Sequence, residues 1–137
     1  MGPLIHVYIG VSEPRQGALI KAELPVPSPV VVKALVDTGA SHTVVDPTVL
    51  KSLGLSPRRI AQTITPTTGA VPHQCHTYDV SLHIPLATAT ALFSKPAWEV
   101  TCLDLKHQGF EVLLGRDILA EGMLVYDGKA ATFAMAF

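Results

Sequence analysis

The 137-residue chain has little charge: only 15% of its residues are Asp, Glu, Lys or Arg, and the formal net charge is -1. The basic residues are scattered, so the electrostatic footprint of a nucleic-acid-binding protein is missing. Long apolar runs are missing too. Mean hydropathy is positive, yet stretches such as 86–93 are broken by threonines and fall short of the roughly 20 residues that a spanning helix needs. No membrane partner is expected. The N-terminus, Met1-Gly2-Pro3-Leu4-Ile5-His6, carries neither a basic start nor a long apolar core, so it does not read as a signal peptide. His6 stands where a myristoylation signal wants Ser or Thr. With Cys75 and Cys102 alone, no disulfide framework can be built, and both are expected to be buried free thiols. The expectation is one cytoplasmic domain spanning 1–137.

What is present is apolar and punctuated. Hydrophobic residues make up 48% of the chain, and eleven prolines and ten glycines interrupt it. Short β-branched runs between them predict strands over 7–11, 17–24, 30–36, 43–45, 77–84, 99–103, 111–114, 123–126 and 131–137. Several alternate apolar with polar, as half-buried strands do. The run 30–36 is nearly all apolar and predicts a strand buried on both faces. Two short helices are expected. One follows Asp46-Pro47, with an N-cap aspartate, proline at the first position and Gly54 past the end. The other lies within 116–121, between Gly115 and Gly122. Many short strands with one or two short helices predict an all-β fold, a barrel or sandwich. No internal repeat is present.

The most informative segment is Val36-Asp37-Thr38-Gly39-Ala40-Ser41. An apolar strand delivers a carboxylate into a tight turn, and a second apolar strand leaves it. Burying an ionised aspartate is costly unless dedicated hydrogen bonds compensate, and Gly39 lets a main-chain N–H approach the carboxylate. Asp, Thr and Gly are also ordinary turn residues, so the tripeptide alone is a weak signal. It is followed by Leu113-Leu114-Gly115-Arg116-Asp117, an apolar strand ending in glycine and leading into a short helix.

Together the two segments resemble the retropepsin-like (retroviral-type) aspartic peptidases, in which an Asp-Thr-Gly turn packs against a later Gly-Arg-Asp/Asn segment. The end of the chain, Leu124-Val125-Tyr126-Asp127-Gly128 and Thr132-Phe133-Ala134-Met135-Ala136-Phe137, resembles the closing hairpin of small bacterial members. The resemblance implies a small closed barrel-like acid-protease fold with a flap hairpin. It implies an aspartic endopeptidase acting on a peptide or protein substrate, with Asp37 as catalytic residue. Neither cofactor nor metal is required. Two carboxylates held close can share one proton and serve as base and acid together. Asp46, Asp79, Asp104, Asp117 and Asp127 do not repeat the Asp-Thr-Gly setting, so the second carboxylate is expected from Asp37 of an identical subunit, in a homodimer.

Further roles follow from the resemblance. Thr38 would brace the two turns across the dimer axis, and Gly39 would accommodate substrate backbone. Ala40 lacks the hydroxyl that a serine would offer the outer carboxylate oxygen, which moves the expected optimum to roughly pH 4–6, with titration belonging to the pair. Ser41 stands where retroviral enzymes carry aspartate, so Arg116 must find another partner, a main-chain carbonyl or Asp117. Ser41 and His42 are candidates for substrate binding, His42 equally for a solvated loop. Leu114, Gly115 and Arg116 should support the site. The flap candidate is a hairpin over 60–84, with its tip near Thr67, Thr68, Gly69 and Ala70. An ordinary surface hairpin is the alternative. His73, Cys75 and His76 do not share one strand face and lack further ligands, so a zinc site is not expected. Phe93 and Trp98 should pack in the core or cover an edge. The rival to an enzyme is a catalytically silent module that keeps the fold for dimerisation or peptide binding.

Overall fold

The computed structural model describes residues 2–63, 73–86 and 91–137. In chain order its elements are β1 (Leu4–Val11), α1 (Glu13–Lys21), β2 (Val30–Val36), β3 (Val44–Val45), α2 (Pro47–Ser52), β4 (Arg59–Thr63), β5 (His73–Pro85) and β6 (Leu92–Cys102). A 3-10 turn at Lys106–Gln108, β7 (Val112–Leu114), α3 (Arg116–Leu119), β8 (Met123–Asp127) and β9 (Thr132–Ala136) complete the fold. The sheet order β1-β2-β7-β3-β6-β5-β4, with β1 also paired to β5, closes six strands into a mixed barrel and leaves β4 on the outside of β5. The fold is all-β, a small closed barrel with short helices, as the sequence implied.

Period-two alternation fills the barrel. Val7, Ile9 and Val11 of β1 point inward with Val32, Ala34 and Val36 of β2, Val80, Leu82 and Ile84 of β5, and Val112 and Leu114 of β7. Val49, Leu50 and Leu53, in and just after α2, and Ile118 of α3 cap this interior. Strand β2 occupies its expected span, but it is buried on one face only: Val31 and Lys33 are exposed. A closed barrel of this size has one inside, and the residues between inward positions must face out.

The segment 17–24 is not a strand. Ser12, Glu13 and Pro14 start α1, where the Ser12 hydroxyl accepts from the Arg15 N–H at 3.4 Å. Only Leu19 of this helix is buried, so no apolar stripe marks it, and Gly17 at its centre disfavours helix on propensity. The described residues therefore hold three α-helices rather than one or two. Helix α2 begins as expected: Asp46 accepts from Thr48, Pro47 takes the first position, and Gly54 follows at φ +66°.

The β8–β9 hairpin forms a separate two-stranded sheet. It is seated through Leu124, Met135 and Phe137, and Phe137 stacks on Phe93 with ring centroids 4.1 Å apart. Phe93 thus packs between the core and the hairpin. Cys75 is buried and Cys102 half-buried, both as free thiols. Burial pushes the Cys102 thiol up from its usual range, and the nearby Asp46 and Cys75 add to this. No described helix is long and apolar enough to cross a membrane.

Candidate active site

Strand β2 runs parallel to β7, with Ala34, Leu35 and Val36 opposite Val112, Leu113 and Leu114. Parallel pairing of these two strands brings residues 37–42 against the Gly115-Arg116-Asp117 segment. Asp37 is half-buried at the end of β2. Its N–H donates to the Leu114 carbonyl at 3.0 Å, and the Ala40 N–H returns to its carbonyl at 3.2 Å. The Gly39 N–H donates to Asp37 Oδ1 at 2.8 Å. The backbone therefore fixes one carboxylate oxygen, while Thr38 and Gly39 stay exposed around it.

Leu114, Gly115 and Arg116 meet the turn, each through its main chain. Leu114 supplies the carbonyl for Asp37. The Arg116 N–H donates to the Ala40 carbonyl at 2.8 Å. Gly115 lies against the backbone of His42, where an added Cβ would sit 2.6 Å from its carbonyl carbon and oxygen. Ser41 and His42 are exposed and joined by a 3.1 Å hydrogen bond between Oγ and Nδ1.

The expected partner for Arg116 is not found at Asp117. That carboxylate accepts from Thr43 Oγ1 at 2.8 Å, the Thr43 N–H at 3.0 Å, the Trp98 indole at 3.0 Å and the Ile118 N–H at 2.9 Å. Among the described residues no side-chain bond to Arg116 is present, and the residue is exposed. Trp98 is thus neither core nor edge cover alone; it is a hydrogen-bond donor at the back of the site. Sequence reasoning missed Thr43 in this role. It also missed Leu35 and Leu113, register partners that are half-buried. Strand alternation places them opposite Ala34 and Leu114 in facing and on the Asp37 side. The alternation was legible at Leu35, two residues before the carboxylate.

The expected flap hairpin is described in part. Its arms are Arg59–Thr63 and the first residues of β5, with Arg59 opposite Thr77 and Thr63 opposite His73. Thr77 pairs with both β4 and β6, and beyond it, to Pro85, β5 pairs with β6 but not β4, so these residues belong to the barrel and the hairpin is shorter than 60–84. Its expected tip, with Thr68, Gly69 and Ala70, lies outside the described residues. At its base Arg59 holds Glu99 through two bonds of 2.6 and 2.7 Å, and Arg58 pairs with Asp79 at 3.0 Å. The guanidinium of Arg59 lowers the Glu99 carboxyl to about 2.

Among the described residues no cluster of His, Cys, Asp or Glu could hold a metal ion. Among the described residues, one cavity of about 400 Å³ opens under the β8–β9 hairpin between Ile5, Ile84 and Phe137, and another of like volume between Ser12, Leu55 and Arg58. Neither is lined by a residue of the 37–42 turn.

The family model described as "Aspartyl protease" matches residues 28–118, from just before β2 through most of α3, and so contains both motifs. No curated protein matches the chain. Among solved structures, the fold is similar to EIAV protease complexed with the inhibitor HBY-793, with a TM-score of 0.46, 17% identity and 88% of each chain covered. It is also similar to the retroviral protease-like domain of Ddi1 from Leishmania major, with a TM-score of 0.45 and 14% identity over 98% of this chain and 90% of that one.

Proposed function

This chain belongs to the aspartyl protease family, and we propose that it is an aspartic endopeptidase whose catalytic pair is Asp37 from each of two identical subunits. The observation that carries the proposal is a single Asp-Thr-Gly turn. One carboxylate oxygen is held by its own backbone, and no second turn of this kind occurs in the sequence. A lone carboxylate lacks the partner that would let one group act as base while the other donates a proton. Two Asp37 side chains facing each other across a two-fold axis supply it. The ionised member takes a proton from water as the water oxygen attacks the scissile carbonyl. The protonated member donates to the developing oxyanion.

In this reading the neighbouring residues take supporting roles. Thr38 is exposed beside the carboxylate and braces the partner's turn. Gly39 leaves room for substrate backbone. Leu35 and Leu113 floor the cleft for apolar side chains, with Ser41 and His42 at its margin. The β4–β5 hairpin serves as the lid, and the substrate binds extended, by strand addition. Ala40 brings no hydroxyl to the pair, which favours weakly acidic working conditions.

The test is cleavage of a peptide library by the wild-type chain and by Asp37→Asn, with folding followed by circular dichroism. The expected result is cleavage at defined bonds by the wild type and none by the folded variant. Cleavage retained in Asp37→Asn would refute the mechanism. A folded wild type that binds peptides without cutting them would identify a silent binding module instead.

A further inference from the structure

Arg116 is the first residue of α3, and its N–H donates to the Ala40 carbonyl at 2.8 Å. That bond holds its main chain beside the 37–42 turn, against a residue three places past Asp37. Arg116 is exposed and, among the described residues, its side chain has no partner. An arginine keeps its charge throughout the working pH range and presents five donors in a planar fork. At the rim of the turn it is a fixed cation with its hydrogen bonds unspent.

The carboxylates of the segments that build the site are committed elsewhere. Asp37 Oδ1 is held by the Gly39 N–H. Asp117 takes four donors, two on each oxygen. Glu111 precedes β7, at the far end of that strand from Arg116, and accepts from the Lys33 N–H at 2.9 Å. On the turn itself stands His42, exposed, with Nδ1 3.1 Å from the Ser41 hydroxyl. Where that hydroxyl donates, a neutral ring carries its proton on Nε2, a second donor turned away from Ser41. Gly115 packs on the backbone of His42 and so keeps Arg116 close to it in space. Apart from Asp37, this rim offers donors and positive charge and no spare carboxylate.

We propose that Arg116, with His42 as a second donor, selects an acidic side chain of the substrate. The proposal rests on the peptidase reading and names its substrate class: peptides with Asp or Glu near the bond that is cut. A carboxylate meets the guanidinium fork with two parallel hydrogen bonds, whereas Gln or Asn has one oxygen and no charge to offer. The two-fold axis adds a second condition. A pair formed by Asp37 of each subunit puts one Arg116 on either side of the scissile bond. An extended peptide, rising roughly 3.3 Å per residue, passes both rims in turn. Acidic residues should therefore be favoured on both sides of the bond.

The experiment begins with a library profile of wild-type cleavage, in which Asp and Glu should be enriched on both sides. A cleaved peptide is then made with Glu or Gln at the most enriched position. Its two forms are compared by kcat/KM in the wild type and in variants at Arg116 and His42. The wild type should favour Glu by about fivefold, the upper end for an exposed ion pair, and by less as salt is added. Arg116→Gln should favour neither form. Arg116→Lys, a charge without the fork, should keep part of the preference, and His42→Ala should lose less of it than Arg116→Gln. Arg116→Glu should turn the preference towards a Lys form of the same peptide.

A profile without acidic enrichment overturns the proposal, and so does a Glu-to-Gln ratio that Arg116→Gln leaves intact. A merely structural role for Arg116 would slow both forms by one factor and preserve that ratio. Where the wild type cleaves no peptide, the peptidase reading fails, and equilibrium binding of Glu-rich and Gln-rich peptides decides. Tighter binding of the Glu-rich peptide by the wild type, lost in Arg116→Gln, supports the acidic selection; equal binding or none overturns it. Should Arg116→Gln fail to fold, Arg116→Lys carries the ratio measurement, and an unchanged ratio there refutes the role of the fork.

Discussion

The carbonyl of Leu114 receives the main-chain N–H of Asp37 at 3.0 Å, so the end of one strand is hung directly on the end of its parallel neighbour. The next residue on that neighbour, Gly115, is packed against His42 at the far side of the same turn. The Asp37 loop is therefore clamped between two consecutive residues of a distant segment.

Gly115→Ala tests the clamp. The backbone of Gly115, at φ -91° and ψ -179°, is open to any residue, so the constraint is space alone. A methyl group would lie 2.6 Å from main-chain atoms of His42, and backbone cannot swing aside as a flexible side chain can. The turn must shift. Overpacking of this kind costs about 1–3 kcal/mol, and peptidase activity should fall further than stability does. Denaturant midpoints and cleavage rates measured together check this. A variant within about 0.5 kcal/mol of wild type and fully active would show that the clamp is loose.

Much of this arrangement was legible in the sequence, because it lies in local signals. Asp46-Pro47 and Gly54 bracket α2, β-branched runs mark most strands, and the two motifs at Asp37 and Gly115 mark segments that the fold brings together. What escaped notice depends on tertiary context. Helix α1 buries only Leu19, so its period is invisible, although the Ser12-Glu13-Pro14 start was there to read. The all-apolar look of 30–36 suggested two buried faces, yet barrel closure leaves Val31 outside. The Thr43–Asp117–Trp98 network joins three segments far apart in the chain, and no spacing rule predicts that an indole rather than Arg116 would meet Asp117.

Ser81 supplies a prediction of opposite sign. It sits in β5 where the pairing with β6 shifts between Val80 and Leu82, 2% exposed. Among the described residues its hydroxyl has no hydrogen-bond partner. A buried unpaired hydroxyl costs about 1–3 kcal/mol, so Ser81→Ala should be neutral or stabilising by roughly 1 kcal/mol. Thermal unfolding of the variant decides it. A clear loss of stability would mean that the hydroxyl has a partner after all.

Acid stability should follow Asp46. Burial alone would raise its carboxyl, but the Thr48 hydroxyl and the N–H groups of Thr48, Leu105 and Lys106 outweigh that and lower it from 3.8 to about 2. A depressed value in the folded state means that stability is complete above the unfolded value and is lost as pH falls through the folded one. Near neutrality the group contributes roughly 2 kcal/mol, fading between about pH 4 and pH 2. Glu99, held low by Arg59, declines over the same window. Asp46→Asn should lower stability at pH 7 and flatten the acid limb of a stability–pH curve. An unchanged limb would remove Asp46 as its cause.

Activity should depend on assembly, because each subunit brings one Asp37. Diluted below its dissociation constant, the wild type should lose activity per chain in proportion to concentration, and sedimentation should report the dimer vanishing in parallel. Mixing gives the sharper result. If wild type and Asp37→Asn exchange subunits freely at equal amounts and saturating concentration, half of all dimers are mixed and lack one carboxylate. Added mutant then lowers the wild-type signal to about half, although no wild-type chain has been removed. A monomeric enzyme would keep its full rate in the mixture, and so would a dimer whose two sites each work with one aspartate. Only a site shared between subunits produces the loss. An undiminished rate after demonstrated exchange would overturn the shared dyad even if Asp37→Asn alone were inactive.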